Sequence, residues 1–356
     1  MSSANRRIER SGRPEAASSS ARPGTIGRVG GGITCPGLVV VGLLAAALAV
    51  PLADQPKEGV SRIELPSGSL VSDLGFSPDG SRIYSDHKGL GPTIVGVGEE
   101  GGLSRGPSTG DITCTRMAVD PTGRSVVIAL SDNTLRVLDP ETLEVRDALT
   151  GHDESRVMDL RFSADGETLA SIDSDGVVRV WTIPLARLDR EFRARGRLAS
   201  CALSPDGSRI ALGGQDGSVS VYDVAGREEL ERWDAHGPGG VVMDMKFTPD
   251  GRTLVSLGLD CCLRVWDLGG RPAPIRTIAF PGGMSPCLAI APDGLTMATG
   301  HLDGRVRLWD PSTGELLGDR PVDTLNALSL CYAPDGRRLA VATGSTVTLL
   351  DLDEPA

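Results

Sequence analysis

From about residue 61 to residue 353 the chain alternates short apolar, β-branched runs with turns, at the two-residue period of strands rather than the longer period of helices. Runs such as Val177-Val178-Arg179-Val180 and Arg305-Val306-Arg307-Leu308 place one face inward and the other outward, as half-buried strands do. The turns are as regular as the runs. Phe76-Ser-Pro-Asp-Gly80, Val119-Asp-Pro-Thr-Gly123, Phe162-Ser-Ala-Asp-Gly166, Leu203-Ser-Pro-Asp-Gly207, Phe247-Thr-Pro-Asp-Gly251, Ile290-Ala-Pro-Asp-Gly294 and Tyr332-Ala-Pro-Asp-Gly336 close on glycines 43, 43, 41, 44, 43 and 42 residues apart. Proline presets φ, aspartate bonds its own backbone and glycine accepts positive φ, so each is a turn with a mechanism. A sustained period of this length built from short strands predicts seven four-stranded units in an all-β propeller.

The N-terminal part has a different pattern. Ile33 to Ala53 is an uncharged stretch of 21 residues, about 31 Å as a helix and enough for a bilayer core. Pro36 and Pro51 shorten its best helical part to roughly 36–50. The segment is expected to be a transmembrane helix, with a cleaved signal peptide as the alternative. Residues 1–32 carry six arginines against Glu9 and Glu15, a net +4 in a chain whose total is −11. This lead has almost no large apolar residues and is expected to be a disordered tail. The arginines favour a cytoplasmic N-terminus, a short linker at 54–60 and an exported propeller, secreted if the segment is cleaved.

Composition changes the functional picture more than the fold. The acidic balance argues against a nucleic-acid partner, because backbone affinity needs clustered cations. The seven cysteines form no CxxC pair and read as small buried residues, with vicinal Cys261-Cys262 as the exception to watch. The four histidines form no cluster with metal-ligand spacing, so no metal or cofactor is expected.

Nine residues beyond the turn glycine stands an aspartate (Asp132, Asp175, Asp216, Asp260, Asp303), and six further on Leu138, Trp181, Tyr222, Trp266 or Trp309. Trp266-Asp267 and Trp309-Asp310 are complete Trp-Asp dipeptides, and Tyr222-Asp223, Leu138-Asp139 and Leu350-Asp351 are degenerate ones. In spacing and motif the chain resembles the WD40-repeat family. That resemblance implies a seven-bladed propeller in which the first strand of the chain, Ser61–Leu65, completes the last blade beside Thr346–Leu350. It also implies a buried hydrogen-bonded tetrad, His152, Ser171, Asp175 and Trp181 in the third repeat and His236, Ser256, Asp260 and Trp266 in the fifth. The sixth repeat keeps Thr299, Asp303 and Trp309 without the histidine, leaving His87 and His301 outside any tetrad. The first and seventh repeats are the weak ones, with Ser85–Val97 irregular and Ser345 in the aspartate's position.

Candidate chemistry is sparse. The tetrads contain the residue types of a hydrolase triad, but their duplication in two repeats marks them as scaffold. Aligning the innermost strands puts Asp73, Arg116, Asp159, Ser200, Asp244, Cys287 and Ser329 in one column near the channel, where Asp73, Asp159 and Asp244 offer either hydrated polarity or a cation site. The expected function is a non-catalytic scaffold that binds other proteins, with Arg156, Arg197 and Ser174 as candidate partner contacts. The alternative is an enzymatic propeller, lactonase-like or quinoprotein-like, acting at the channel face.

Overall fold

The computed structural model describes residues 60–65, 70–87, 91–99, 101–110, 112–152, 155–270, 273–280, 285–323 and 326–353. The expectations for the tail, for the apolar segment 33–53 and for most of the linker therefore lie outside the described residues. Among those described, no helix is long and apolar enough to cross a membrane, and Ile183–Leu185 is a single 3-10 turn.

The strands form seven four-stranded antiparallel sheets, here called blades one to seven. Their inner strands are Val71–Phe76, Cys114–Val119, Val157–Phe162, Leu198–Leu203, Val242–Phe247, Cys287–Ile290 and Ala327–Tyr332. Six blades run inner to outer in chain order. Blade seven draws its outer strand from the other end of the chain: Val60–Glu64 lies antiparallel to Thr346–Asp351, with Val60 opposite Leu350 and Glu64 opposite Thr346. Blade one is more regular than its sequence suggests, since Arg82–His87 and Thr93–Val97 pair in unbroken register.

Apolar burial explains why the blades stand side by side. Seven clusters of buried side chains fill the space between neighbours, each drawing on two consecutive blades. One joins blades seven and one through Val71, Phe76 and Ile83 against Ala340, Ala342 and Val347. A single sheet has two apolar faces and cannot cover both alone, so stacking in a ring satisfies every blade.

The Pro-Asp-Gly turns add a second circle of contacts. A side chain on the turn glycine of one blade would meet the turn proline of the blade before it: Gly123 faces Pro78, Gly251 faces Pro205 and Gly294 faces Pro249. Ala164 replaces that proline in blade three, and its free N–H donates to the Pro205 carbonyl at 3.0 Å. The departure from the turn pattern thus becomes a hydrogen bond between blades.

Candidate functional site

A strand sends residues i and i+2 to the same face, and this rule organises the polar groups buried inside the blades. In blade three, Trp181 Nε1 donates to Ser171 Oγ at 2.8 Å, and Ser171 Oγ lies 2.7 Å from His152 Nε2. The carboxylate on the far side of the imidazole is Asp173, with Oδ2 3.0 Å from His152 Nδ1. Asp175, expected in this role, is exposed and accepts instead from the Ser155 hydroxyl at 2.6 Å. The physical reason is register. Asp173 is two residues from Ser171 on the same strand face, whereas Asp175 has already entered the turn. Burial opposes ionisation of Asp173, but hydrogen bonds from His152 and from the Val177 N–H bring its carboxyl below the usual range.

Blade five uses the other aspartate. Trp266 Nε1 donates to Ser256 Oγ at 2.9 Å, Ser256 Oγ lies 2.8 Å from His236 Nε2, and His236 Nδ1 lies 2.9 Å from Asp260 Oδ1. Position i+2 from the serine is Gly258. A Cβ there would stand 2.1 Å from His236 Nδ1, so the missing side chain is what lets Asp260 reach in from the turn. Burial lowers the His236 pKa despite the nearby carboxylate. Both serine hydroxyls are fully buried and receive an indole N–H, so neither stands open as a nucleophile.

Two further networks correct the reading of His87 and His301 as bystanders. Trp309 Nε1 donates to Thr299 Oγ1 at 2.8 Å, and Thr299 Oγ1 lies 2.8 Å from His301 Nε2. In blade one Ser85 Oγ lies 2.8 Å from His87 Nε2. Each imidazole stands two residues after its hydroxyl, His87 at the end of Arg82–His87 and His301 one residue past Met297–Gly300, rather than on a preceding loop. The signal was present as Ser85-Asp86-His87 and Thr299-Gly300-His301, a hydroxyl and a histidine at strand spacing. Phe280 packs edge-on against the His301 ring, with centroids 4.8 Å apart. Burial holds both imidazoles at a pKa of about 4, helped by Arg105 beside His87 and Arg307 beside His301.

The innermost column has a single unifying geometry: every member bonds to the backbone of the next blade. Asp73 accepts from the Met117 N–H at 3.1 Å, Asp159 from Cys201 at 2.9 Å and Asp244 from Leu288 at 3.1 Å. Arg116 Nε donates to the Met158 carbonyl at 2.6 Å, Ser200 Oγ to Val242 at 2.8 Å and Cys287 Sγ to Ala327 at 3.5 Å. Ser329 Oγ accepts from the Leu74 N–H at 3.2 Å and carries the circle from blade seven to blade one. A register shift at the start of the inner strand, as between Val71 and Asp73 or Val157 and Asp159, turns these side chains sideways toward the neighbour.

The carboxylates of the column also meet cations of this chain. Arg161 bridges Asp159 at 3.0 Å and Asp244 at 3.1 Å across the channel, and Lys246 Nζ lies 2.7 Å from Asp244. Burial resists ionisation of Asp244, yet Lys246 and Arg161 hold its pKa below the usual value. Burial raises Asp73 to about 6, only partly offset by Arg116 and Arg161. The channel between them is a cavity of about 690 Å³. Among the described residues no group of three or more His, Cys, Asp or Glu side chains is placed to hold a metal ion.

The candidate partner contacts lie on the face that carries the connections between blades. Arg156 and Arg197 are exposed on the two connections flanking blade three, and Ser174 is half-buried, its N–H donating to the Arg156 carbonyl at 3.0 Å. Cys114, Cys201 and Cys287 are buried and burial pushes their thiols up. Cys261 and Cys262 are half-buried, with Cys261 at φ 60° in its turn.

The family model described as "WD domain, G-beta repeat" matches residues 143–182, 189–223, 227–267 and 275–310. Each match begins in the outer part of one blade and runs through the first three strands of the next, so the sequence repeat is offset from the blade by one strand. WD repeat-containing protein 36 from Homo sapiens is 29% identical over 161 residues, covering 44% of this chain and 18% of that protein. Nuclear distribution protein PAC1-2 from Uncinocarpus reesii is 30% identical over 176 residues, covering 44% of this chain and 38% of that protein. The WD repeat, SAM and U-box domain-containing protein 1 from Danio rerio is 37% identical over 68 residues, covering 18% and 14%. In each case the alignment spans less than two-fifths of the relative's own length. With the turn motifs and the seven sheets in agreement, these four segments are WD repeats set in a seven-bladed β-propeller.

Proposed function

We propose that this propeller is a non-catalytic platform that holds protein partners on the face carrying the inter-blade connections. The observation that carries the reading is the internal use of its polar groups. The buried imidazoles and hydroxyls bond within blades and the channel column bonds between blades, whereas Arg156 and Arg197 stand exposed on the connections. A rigid ring whose chemistry is turned inward suits presentation of loops rather than turnover. Several relatives named as WD repeat proteins support the same reading.

The platform is held at a membrane by the uncharged stretch 33–53, with the arginine-rich lead on the cytoplasmic side and the propeller exported. Two measurements test these statements. Capture with the tagged full chain, after cross-linking in native membranes, is expected to recover a reproducible set of proteins; recovery of none overturns the platform. N-terminal sequencing and protease protection are expected to find the lead retained and the propeller shielded from cytoplasmic protease, and a propeller digested from that side overturns the export.

A further inference from the structure

The outer rim of the ring is not uniform. In blades two to six the outermost strand takes up one extra residue where its register against the third strand shifts: Arg146, Asp189, Leu230, Ile275 and Leu317 in turn. A bulge and a charge are two devices that keep a sheet edge from pairing with another chain. Blades two and three use both, since Arg146 is paired with Asp139 and Asp189 with Arg190. Blades four to six keep the bulge and lose the charge. On the edges of blades five and six the apolar residues gather: Ile275 is 45% exposed, and Leu316 and Leu317 are 50% and 56% exposed. The outer strands Pro274–Ala279 and Leu316–Pro321 share one surface. A Cβ on Gly314, in the turn that leads into the second, would meet Ile278 and Arg276 of the first at 3.4 and 3.8 Å. Single exposed apolar side chains are ordinary, whereas three on adjoining edges form a patch.

Charge indicates what covers it. Arg276 is exposed beside Ile275 on blade five, and Glu315 is exposed beside Leu316 on blade six. The patch thus has a cation on one blade and an anion on the next. We infer that the edges of blades five and six are the contact between two copies of this chain, related by a two-fold axis that runs between these blades. Such an axis sets blade five of one copy on blade six of the other, twice over, so that Ile275 packs on Leu316 and Leu317 while Arg276 meets Glu315. The two-fold runs parallel to the axis of the ring. One lying in the plane of the ring would set blade five on blade five and bring the two Arg276 guanidinium groups together. Both connection faces therefore point to the same side. A lipid surface suits the patch less well, because cations draw a protein onto anionic head groups and Glu315 stands in the patch. The contact lies on the rim and is independent of what the connection face holds.

Two differently tagged copies of the full chain, expressed together and cross-linked with formaldehyde in native membranes, provide the test: one tag is captured and the other is read. The wild type should co-isolate in a product of twice the mass of the chain. Ile275→Asp with Leu317→Asp sets carboxylates against apolar side chains and should lower that product roughly tenfold or more. Val145→Asp, at a position 52% exposed on blade two, should leave it unchanged. Arg276→Glu and Glu315→Arg should each lower the product, and the two changes together should restore it, because the pair is only reversed. Melting temperatures should match that of the wild type throughout, since every substituted side chain is exposed. Absence of the double-mass product, an undiminished product in the double aspartate variant, an equal loss in Val145→Asp, or no restoration by the charge reversal would each overturn the inference. So would a patch-dependent product that contains another protein in place of the second copy.

Discussion

Blades five and six solve one problem in two ways. Each buries a tryptophan indole against a hydroxyl, Ser256 or Thr299, and each gives that hydroxyl an imidazole. In blade five the imidazole is His236, on the connection from blade four; in blade six it is His301, two residues after the hydroxyl and just past the end of its strand. The first network therefore ties a loop to a sheet by hydrogen bonds, while the second keeps its hydrogen bonds within its own blade and meets the connection only through the packing of Phe280. The comparison teaches that the buried network is defined by where the ring lies, not by where in the repeat its residue stands.

The largest effect should come from removing the two imidazoles in turn. His236→Ala removes one hydrogen-bond partner from each of Ser256 and Asp260 and opens a cavity, and should lower unfolding free energy by about 3 kcal/mol. Limited proteolysis should then cut within 235–241. His301→Ala should lower stability by about 2 kcal/mol and leave the connection into blade six as resistant as before. Equal loop cleavage in both variants would break the distinction.

A smaller effect sharpens the assignment in blade three. Asp173→Ala should lower stability by about 1–3 kcal/mol, since it strips the buried His152 and two turn N–H groups of their acceptor. Asp175→Ala, at an exposed position, should lower it by less than about 1 kcal/mol. Thermal or chemical denaturation that reverses this order would return Asp175 to the network.

The smallest effect is in pH. Unfolded His87 and His301 take up protons as pH falls through 6.5, whereas the folded imidazoles resist until about 4. Their contribution is complete above pH 6.5 and declines as pH falls toward 4, by up to about 1.4 kcal/mol per unit for each group. Asp73 acts in the opposite sense. Its folded pKa of about 6 exceeds the free value of 3.8, so the folded state binds that proton first and gains stability as pH falls between them. Denaturation between pH 7 and 5 should show a net loss of stability, steeper in Asp73→Asn and shallower in His301→Gln. A flat profile in both variants would exclude this linkage.

Much of the architecture could be read from one sequence because its signals are local. A Pro-Asp-Gly turn needs no distant partner, and seven at a nearly constant period define seven sheets. The channel column was also legible, since Asp73, Arg116 and the others occupy one register position. Their bonding was not, because it depends on a small irregularity at the start of each inner strand that redirects the side chain from the channel to the neighbour. The same limit explains Asp173. Asp175 matched the family's spacing, but the competing fact was the face of the strand, and a residue two positions from Ser171 has an advantage no motif spacing expresses. His301 was overlooked for a related reason: it stands where the pattern asks for no histidine.

The pairing of Val60 with Leu350 also sets an order of events during biosynthesis. At about 5–20 residues per second, the ribosome delivers the second of these strands roughly 15–60 s after the first. Through that interval Val60–Glu64 exists without the neighbour to which it belongs, while the blades behind it can already stack. Blade seven is thus the last sheet that can form, however early its outer strand emerged. A chain interrupted near its C-terminus loses both the inner strands of that blade and the partner of its earliest described strand.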